Sequence, residues 1–166
     1  MVKKYAKYFL TDAKTPSSGS KEAADYAKWA TRMTWLDGEV IEGAFHFGIS
    51  WYYKSPPKAA PAHTHNFPEI LGFYGSDPQN PRDLGGEVEF WMEDEKYIMT
   101  KSFLVFIPAG VKHCPLKINK IDRPMLHLGA SPSHEYVKKT ANDFLKIVWL
   151  SWLHRSTQNT SLPTCI

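Results

Sequence analysis

Cysteine is scarce: Cys114 and Cys165 are the only two in 166 residues, far apart and outside any C-x-x-C pattern. That excludes a disulfide framework and suggests a reducing compartment. No apolar run reaches the roughly eighteen residues of a membrane-spanning helix, and the opening "MVKKYAKYFLTDAKT" lacks the uninterrupted apolar stretch of a secretion signal. Runs of like charge are missing too. The net charge is +3 with lysines dispersed among acidic residues, which describes a solvated surface better than a nucleic-acid face. No internal repeat is visible. These absences lead to the expectation of a cytoplasmic, soluble protein whose partner is a small molecule, with no nucleic acid and no membrane.

What is present fits a folded chain. Hydrophobic residues make up 43% and aromatics 14%, with Gly and Pro spread along the length, and 19.0 kDa suits one domain burying roughly two thirds of its unfolded surface. From Trp35 onward, runs rich in β-branched and aromatic residues ("TWLDGEVIEGAFHFGISWYY", "GGEVEFWM", "KSFLVFIPAG", "PMLHLGAS") alternate with Gly, Pro, Asn and Asp, which predicts an all-β body over 35–131. Between Phe45 and Tyr53 every odd position is apolar or aromatic, the period-2 signature of a strand. The flanks read differently. "SKEAADYAKWATRM", with Ser20 as a possible cap, predicts a helix within an N-terminal arm over 1–34. "SHEYVKKTANDFLKIVWLSWLH" predicts a C-terminal helix within 132–155, followed by a tail over 156–166.

The chemistry concentrates in "PAHTHNFPEILGFYG". Side chains alternate along a strand, so His63, His65 and Glu69 share one side if the strand runs through Pro68, with a bulge expected near Phe67 or Pro68. Two imidazoles and a carboxylate can bind Fe, Mn, Zn, Ni or Co while leaving positions open. The competing reading is a loop of hydrated histidines. About forty residues later, "FLVFIPAGVKHCPL" carries an apolar strand through a Pro-Ala-Gly turn to His113, a fourth ligand from a separate strand.

Together these two motifs resemble the cupin superfamily. Its H-x-H-x3,4-E motif is matched by His63, His65 and Glu69, and its P-x-G-x-x-H motif by Pro108, Gly110 and His113, within a region from about Gly43 to Ala130. The resemblance implies a double-stranded β-helix, or jelly-roll barrel, with short flanking helices and one divalent transition metal ion per chain in its mouth. Two positions depart from the pattern: Ser102 stands where a glycine is usual and Lys117 where an asparagine is. The long "GSDPQNPRDL" connection and the motif-two region are similar to small single-domain bacterial cupins of unassigned reaction. A mononuclear metalloenzyme acting on a small organic substrate is therefore expected, with non-haem iron dioxygenation slightly favoured. The alternatives are an isomerase or lyase on the same site and a non-enzymatic ligand- or metal-binding module.

Further residues are ambiguous. His127, Tyr53 and Tyr74 are candidates for acid–base work, and His46, Trp51, Phe73 and Trp91 for a substrate pocket; each has core packing as its alternative. Cys114 is expected to point away from His113 along an extended chain and to serve as a buried apolar residue. "MEDEKY" reads as a solvated hairpin turn, and His134 and His154 as surface residues. Open sheet edges suggest a homodimer, with the N-terminal arm as an exchanging segment.

Overall fold

The computed structural model describes residues 3–12 and 21–134. A single 3-10 turn at Ala6–Tyr8 and one short helix, α1 (Lys21–Tyr26), precede eight strands. These are β1 (Ala30–Leu36), β2 (His46–Tyr52), β3 (Glu69–Gly75), β4 (Asp83–Met92), β5 (Glu95–Lys101), β6 (Phe103–Ile107), β7 (His113–Ile121) and β8 (Met125–Ser131). They form two antiparallel sheets of the jelly-roll kind, one ordered β1-β2-β8-β3-β6 and the other β5-β4-β7. Among the described residues no helix is long and apolar enough to cross a membrane.

The core lies where the two sheets face each other. Leu71 and Phe73 of β3, Leu84, Val88 and Phe90 of β4, Ile118 of β7 and Met125 of β8 are buried together. Removing a fully buried side chain of this size costs about 3–5 kcal/mol for a phenylalanine. β4 and β5 are joined by the two residues Glu93 and Asp94, with Glu93 at φ +52°, so "MEDEKY" is indeed a tight exposed hairpin.

Helix ends earlier and sheet begins earlier than the sequence suggests. The expected helix through Met33 stops at Tyr26, and Ala30–Leu36 becomes β1 instead. The reason is tertiary: Ala30, Thr31 and Arg32 pair with Tyr52, Trp51 and Ser50, and a seven-residue ladder partner outweighs modest helix propensity. A bulge at Met33 shifts the register, so Thr34 pairs with Ile49 and Trp35 with Gly48. The C-terminal helix and the tail fall outside the described residues, as do Cys165 and His154. His134 is exposed, and its ring Nδ1–H donates to the Ala44 carbonyl.

Ser102, the departure from the usual glycine, has a task of its own. Its hydroxyl donates to the Pro81 carbonyl at 2.8 Å and accepts from the Gly75 N–H at 3.0 Å, while its own N–H donates to the Arg82 carbonyl at 2.9 Å. One residue thus ties the end of the long Pro-rich connection to β3 and β6.

In β2 the alternation runs opposite to simple hydrophobic patterning. His46 and Ser50 are buried, while Phe45 beside them is 58% exposed and Phe47, Ile49 and Trp51 share its outer face. Ile70, Leu104 and Phe106 continue that apolar outer surface across β3 and β6. The polar face of β2 looks inward.

Candidate metal centre

The histidine segment and the start of β7 hold each other by backbone. The His63 N–H donates to the His113 carbonyl and the His113 N–H to the His63 carbonyl, both at 3.0 Å, and the Gly110 N–H donates to the His65 carbonyl at 2.8 Å. Residues directly opposite in an antiparallel pair project to the same face, so the two rings lie 4.3 Å apart between centroids. Gly110 sits at φ +82° in the turn after Ile107, a conformation open to glycine, and this turn aims His113 inward. His63, His65 and Glu69 do not share one continuous strand. The chain bends at Asn66 and Phe67, ahead of Pro68 with no N–H to donate, and Glu69 opens β3 after the bend.

The outcome is still convergence. His63, His65, Glu69 and His113 are 4%, 3%, 3% and 1% exposed, and one donor atom from each lies within 4.8 Å of the others. Glu69 Oε2 is 3.4 Å from His65 Nε2 and 3.2 Å from His113 Nε2. Metal–ligand bonds of about 2.0–2.2 Å place neighbouring donors about 3–4 Å apart, so this spacing fits one ion. The tautomers fit as well. A carbonyl can only accept, so His63 Nδ1–H donates to Pro61 O at 2.8 Å and His113 Nδ1–H to Val111 O at 3.0 Å. In the neutral ring this leaves a lone pair on each Nε2. His113 then faces the carboxylate lone pair to lone pair, a repulsive contact that a cation between them makes attractive.

Beside the four groups is a cavity of about 240 Å³. The inner face of β2 contributes His46, Gly48, Ser50 and Tyr52; β3 contributes Leu71 and Phe73; β8 contributes His127 and Gly129. His63, Glu69 and His113 form part of its wall, and Tyr26, Arg32 and Trp35 close the β1 side. The His127 ring stacks on Phe73 at 4.5 Å, and its Nδ1–H donates to the Gly72 carbonyl at 3.0 Å. Tyr52 packs edge-on to both Phe73 and His127. Burial, reinforced by the neighbouring Tyr26 hydroxyl, raises the Tyr52 phenol well above its ordinary 10.0, and Arg32 opposes this only in part. Tyr52 therefore enters the cavity as a protonated hydrogen-bond donor at neutral pH.

Of the residues singled out by sequence, His46, Phe73 and His127 line the cavity, and Trp51, Trp91, Tyr53 and Tyr74 do not. Trp51 is on the outer face of β2, one residue out of phase with Tyr52. Trp91 lies in the second sheet, where its indole N–H donates to Glu89 at 2.8 Å. Tyr53 is 38% exposed and donates to the Ala27 carbonyl, and Tyr74 alternates away from Phe73. Cys114 is buried as expected, yet it lines the same cavity as His113, because φ +65° there breaks the extended alternation. Sequence reading missed Tyr26, Arg32, Trp35, Ser50 and Tyr52 as site residues. Ser50 and Tyr52 share the parity of His46, which was the available signal; for Arg32 and Trp35 there was none.

No family model matches the sequence, and no curated protein does. Solved structures with a similar arrangement include oxalate oxidase in complex with the substrate analogue glycolate, at 14% identity and TM-score 0.49, covering 81% of this chain and 64% of that one. The DMSP lyase DddQ from Ruegeria pomeroyi DSS-3 gives 22% identity and TM-score 0.43, covering 79% of this chain and 61% of that one. An RmlC-like cupin from Shewanella frigidimarina NCIMB 400 gives 16% identity and TM-score 0.41, covering 64% of this chain and 78% of that one. The chain thus spans less than two thirds of the length of the first two. These likenesses are of overall shape and bear on neither substrate nor reaction.

Proposed function

We propose that this chain is a mononuclear metalloenzyme of cupin type acting on a small organic substrate, with non-haem iron dioxygenation favoured. The observation that carries the reading is the placement of four buried donor groups in the wall of a cavity large enough for a small molecule. His63, His65, Glu69 and His113 are the residues that would hold the ion. A bound Fe, Mn, Zn, Ni or Co ion supplies Lewis acidity and, in the case of iron, redox chemistry with dioxygen. The chain's own contributions are separate from this. Leu71, Phe73 and Leu116 exclude water from part of the wall, while Tyr52 and His127 offer a hydrogen-bond donor and an imidazole to whatever occupies the space.

Tyr52 and His127 also favour a second reading, proton transfer by an isomerase or lyase on the same centre, because both groups face the cavity without being ligands. A binding module without turnover is the third. A homodimer belongs to this proposal, supported by the outer edges of β1 and β5, which pair with no other strand among the described residues. A cytoplasmic setting belongs to the proposal on the scarcity of cysteine alone.

Elemental analysis of protein purified without added metal tests the centre: one transition ion per chain is expected, and its loss in His63→Ala and Glu69→Ala. Unchanged metal content in both variants would sink the assignment. Anaerobic loading with Fe(II), followed by oxygen and a panel of phenols, diketones and small carboxylic acids, then separates the reactions. Oxygen uptake supports dioxygenation, and substrate conversion without uptake supports proton transfer. Neither with any metal leaves the binding module.

A further inference from the structure

We infer that the cavity takes a small organic carboxylate whose oxygens are held by the Arg32 guanidinium on the β1 side, across the cavity floor from Glu69. This rests on the proposed function in that it concerns the same cavity, and it names the class of molecule the cavity admits.

Arg32 reaches the cavity because of the bulge at Met33. In an unbroken strand residues 32 and 35 would face opposite ways; the register shift between Arg32 and Thr34 turns both Arg32 and Trp35 inward and leaves Met33 exposed. Arg32 stands directly opposite Ser50, Ser50 opposite His127, and His127 opposite Phe73, so one row of inward-facing side chains crosses four strands. All four line the cavity.

The guanidinium lies over two aromatic rings. Its Cζ lies 4.9 Å from the Tyr26 ring centroid and 4.8 Å from that of Trp35. Cation–π contact of this kind uses no N–H···O bond, which leaves N–H groups for an oxyanion, and a fork of donors is what favours arginine over lysine there. Trp35 is itself fixed, its indole N–H donating to Asp37 Oδ2 at 2.7 Å while Asp37 Oδ1 accepts from the Glu39 and Val40 N–H groups. Among the described residues no carboxylate lies within ion-pair distance of Arg32. A half-buried guanidinium that faces the cavity and pairs with no carboxylate among the described residues is a fitting anchor for one from outside.

Charge and shape agree. Arg32 is the one basic side chain other than histidine in the cavity lining, and Glu69, the one carboxyl, belongs to the four-donor cluster, so the charge left for a ligand is positive. Between the two lies a floor without side chains. Gly48 and Gly129 stand directly opposite each other; a Cβ on Gly48 would meet Trp35 at 3.7 Å, and one on Gly129 would meet Glu69 Oε1 at 4.0 Å. The bare pair therefore spans from the Trp35 end to the Glu69 end. A volume of about 240 Å³ lies below the range of roughly 300–1,000 Å³ typical of drug-sized pockets, which limits the acid to a few carbons or one ring.

The test is calorimetric binding of pyruvate, succinate and benzoate, each against its neutral amide, to the metal-loaded and the chelator-treated full chain. Wild type is expected to prefer each acid that fits over its amide by about tenfold or more, and Arg32→Gln to lose that preference with metal content unchanged. Arg32→Lys, which keeps the charge without the fork, is expected to retain part of it and serves if Arg32→Gln does not fold. Equal affinity for acid and amide, binding of none of the probes, or an Arg32→Gln protein with undiminished preference would each overturn the inference. Arg32-dependent preference in a chain that holds no metal would remove the metal centre and leave this inference standing. Stoichiometric metal without such preference would do the reverse.

Discussion

His63 and His113 face each other across a two-residue antiparallel bridge, and each sends its ring Nδ1–H to the carbonyl two residues before it, Pro61 and Val111. Both rings are thus oriented by main-chain groups. His113→Ala removes a donor and leaves the bridge, whose hydrogen bonds are backbone only. It is expected to reduce bound metal to a small fraction of one per chain while far-ultraviolet circular dichroism stays as in wild type. Loss of the β signal would contradict this division of labour.

Metal and stability should be linked. An ion present at about a hundred times its dissociation constant stabilises the state that binds it by about 2.7 kcal/mol. For a chain of this length that corresponds to a rise in melting temperature of about 5–10 °C. Scanning calorimetry of metal-loaded protein with and without chelator checks the figure, and Glu69→Ala is expected to show no such difference.

Ser102 offers a test away from the centre. Ser102→Ala and Ser102→Gly both break the two hydroxyl bonds that fasten the loop before β4, and each is expected to cost about 1–2 kcal/mol in urea unfolding. The glycine that the cupin pattern would place there should not be neutral in this chain.

Two glycines should behave in opposite ways. A Cβ on Gly75 would lie 1.9 Å from the Asp83 carbonyl oxygen, so Gly75→Ala forces β3 from β4 and is expected to cost at least about 1–3 kcal/mol. Gly129→Ala meets nothing nearer than 4.0 Å and is expected to fold normally, whereas Gly129→Leu fills the floor of the cavity. Equilibrium unfolding ranks the alanine pair, and loss of carboxylate binding with retained metal is the outcome expected of Gly129→Leu.

The acid limb of the stability profile has one traceable contributor. Hydrogen bonding from the Arg123 side chain, then from the Gly85 N–H, holds the Asp83 carboxyl below its ordinary 3.8. A depressed acid stabilises the fold above its unfolded value and loses that contribution as pH falls through 3.8 and below. Asp83→Asn should therefore lower the unfolding midpoint at neutral pH, where the contribution is fully present, and converge with wild type as pH falls below that window, flattening the pH dependence between the two. The pair is exposed, so added salt should weaken the effect.

How far these features could be read in advance depends on how local they are. The cluster of His63, His65, Glu69 and His113 was legible because two spaced motifs mark it, although the bend at Asn66 and Phe67 was not, and the four side chains meet by folding back against β7 instead of by lying along one strand. The all-β body from Trp35 onward was legible from turn chemistry and β-branched runs. Arg32 was not, because its stretch has acceptable helix formers that the ladder to β2 overrules, and for Arg32 and Trp35 alike the bulge makes parity misleading as a guide to the cavity. Trp51 was misplaced for a related reason. Aromatic character suggested a pocket, but the strand's phase put Tyr52 there.

That phase carries a further consequence. Sliding β2 by one residue against its neighbours would exchange its two faces. Phe47, Ile49 and Trp51 would then fill the interior, and His46, Ser50 and Tyr52 would meet water. Burial of apolar surface alone favours that slipped arrangement. The observed arrangement is held by pairing on both sides of β2 and by the contacts of Tyr52 and His46 with Phe73, His127 and Trp35. The strand is locally frustrated, its hydrophobic pattern and its inward row of His46, Ser50 and Tyr52 preferring opposite faces.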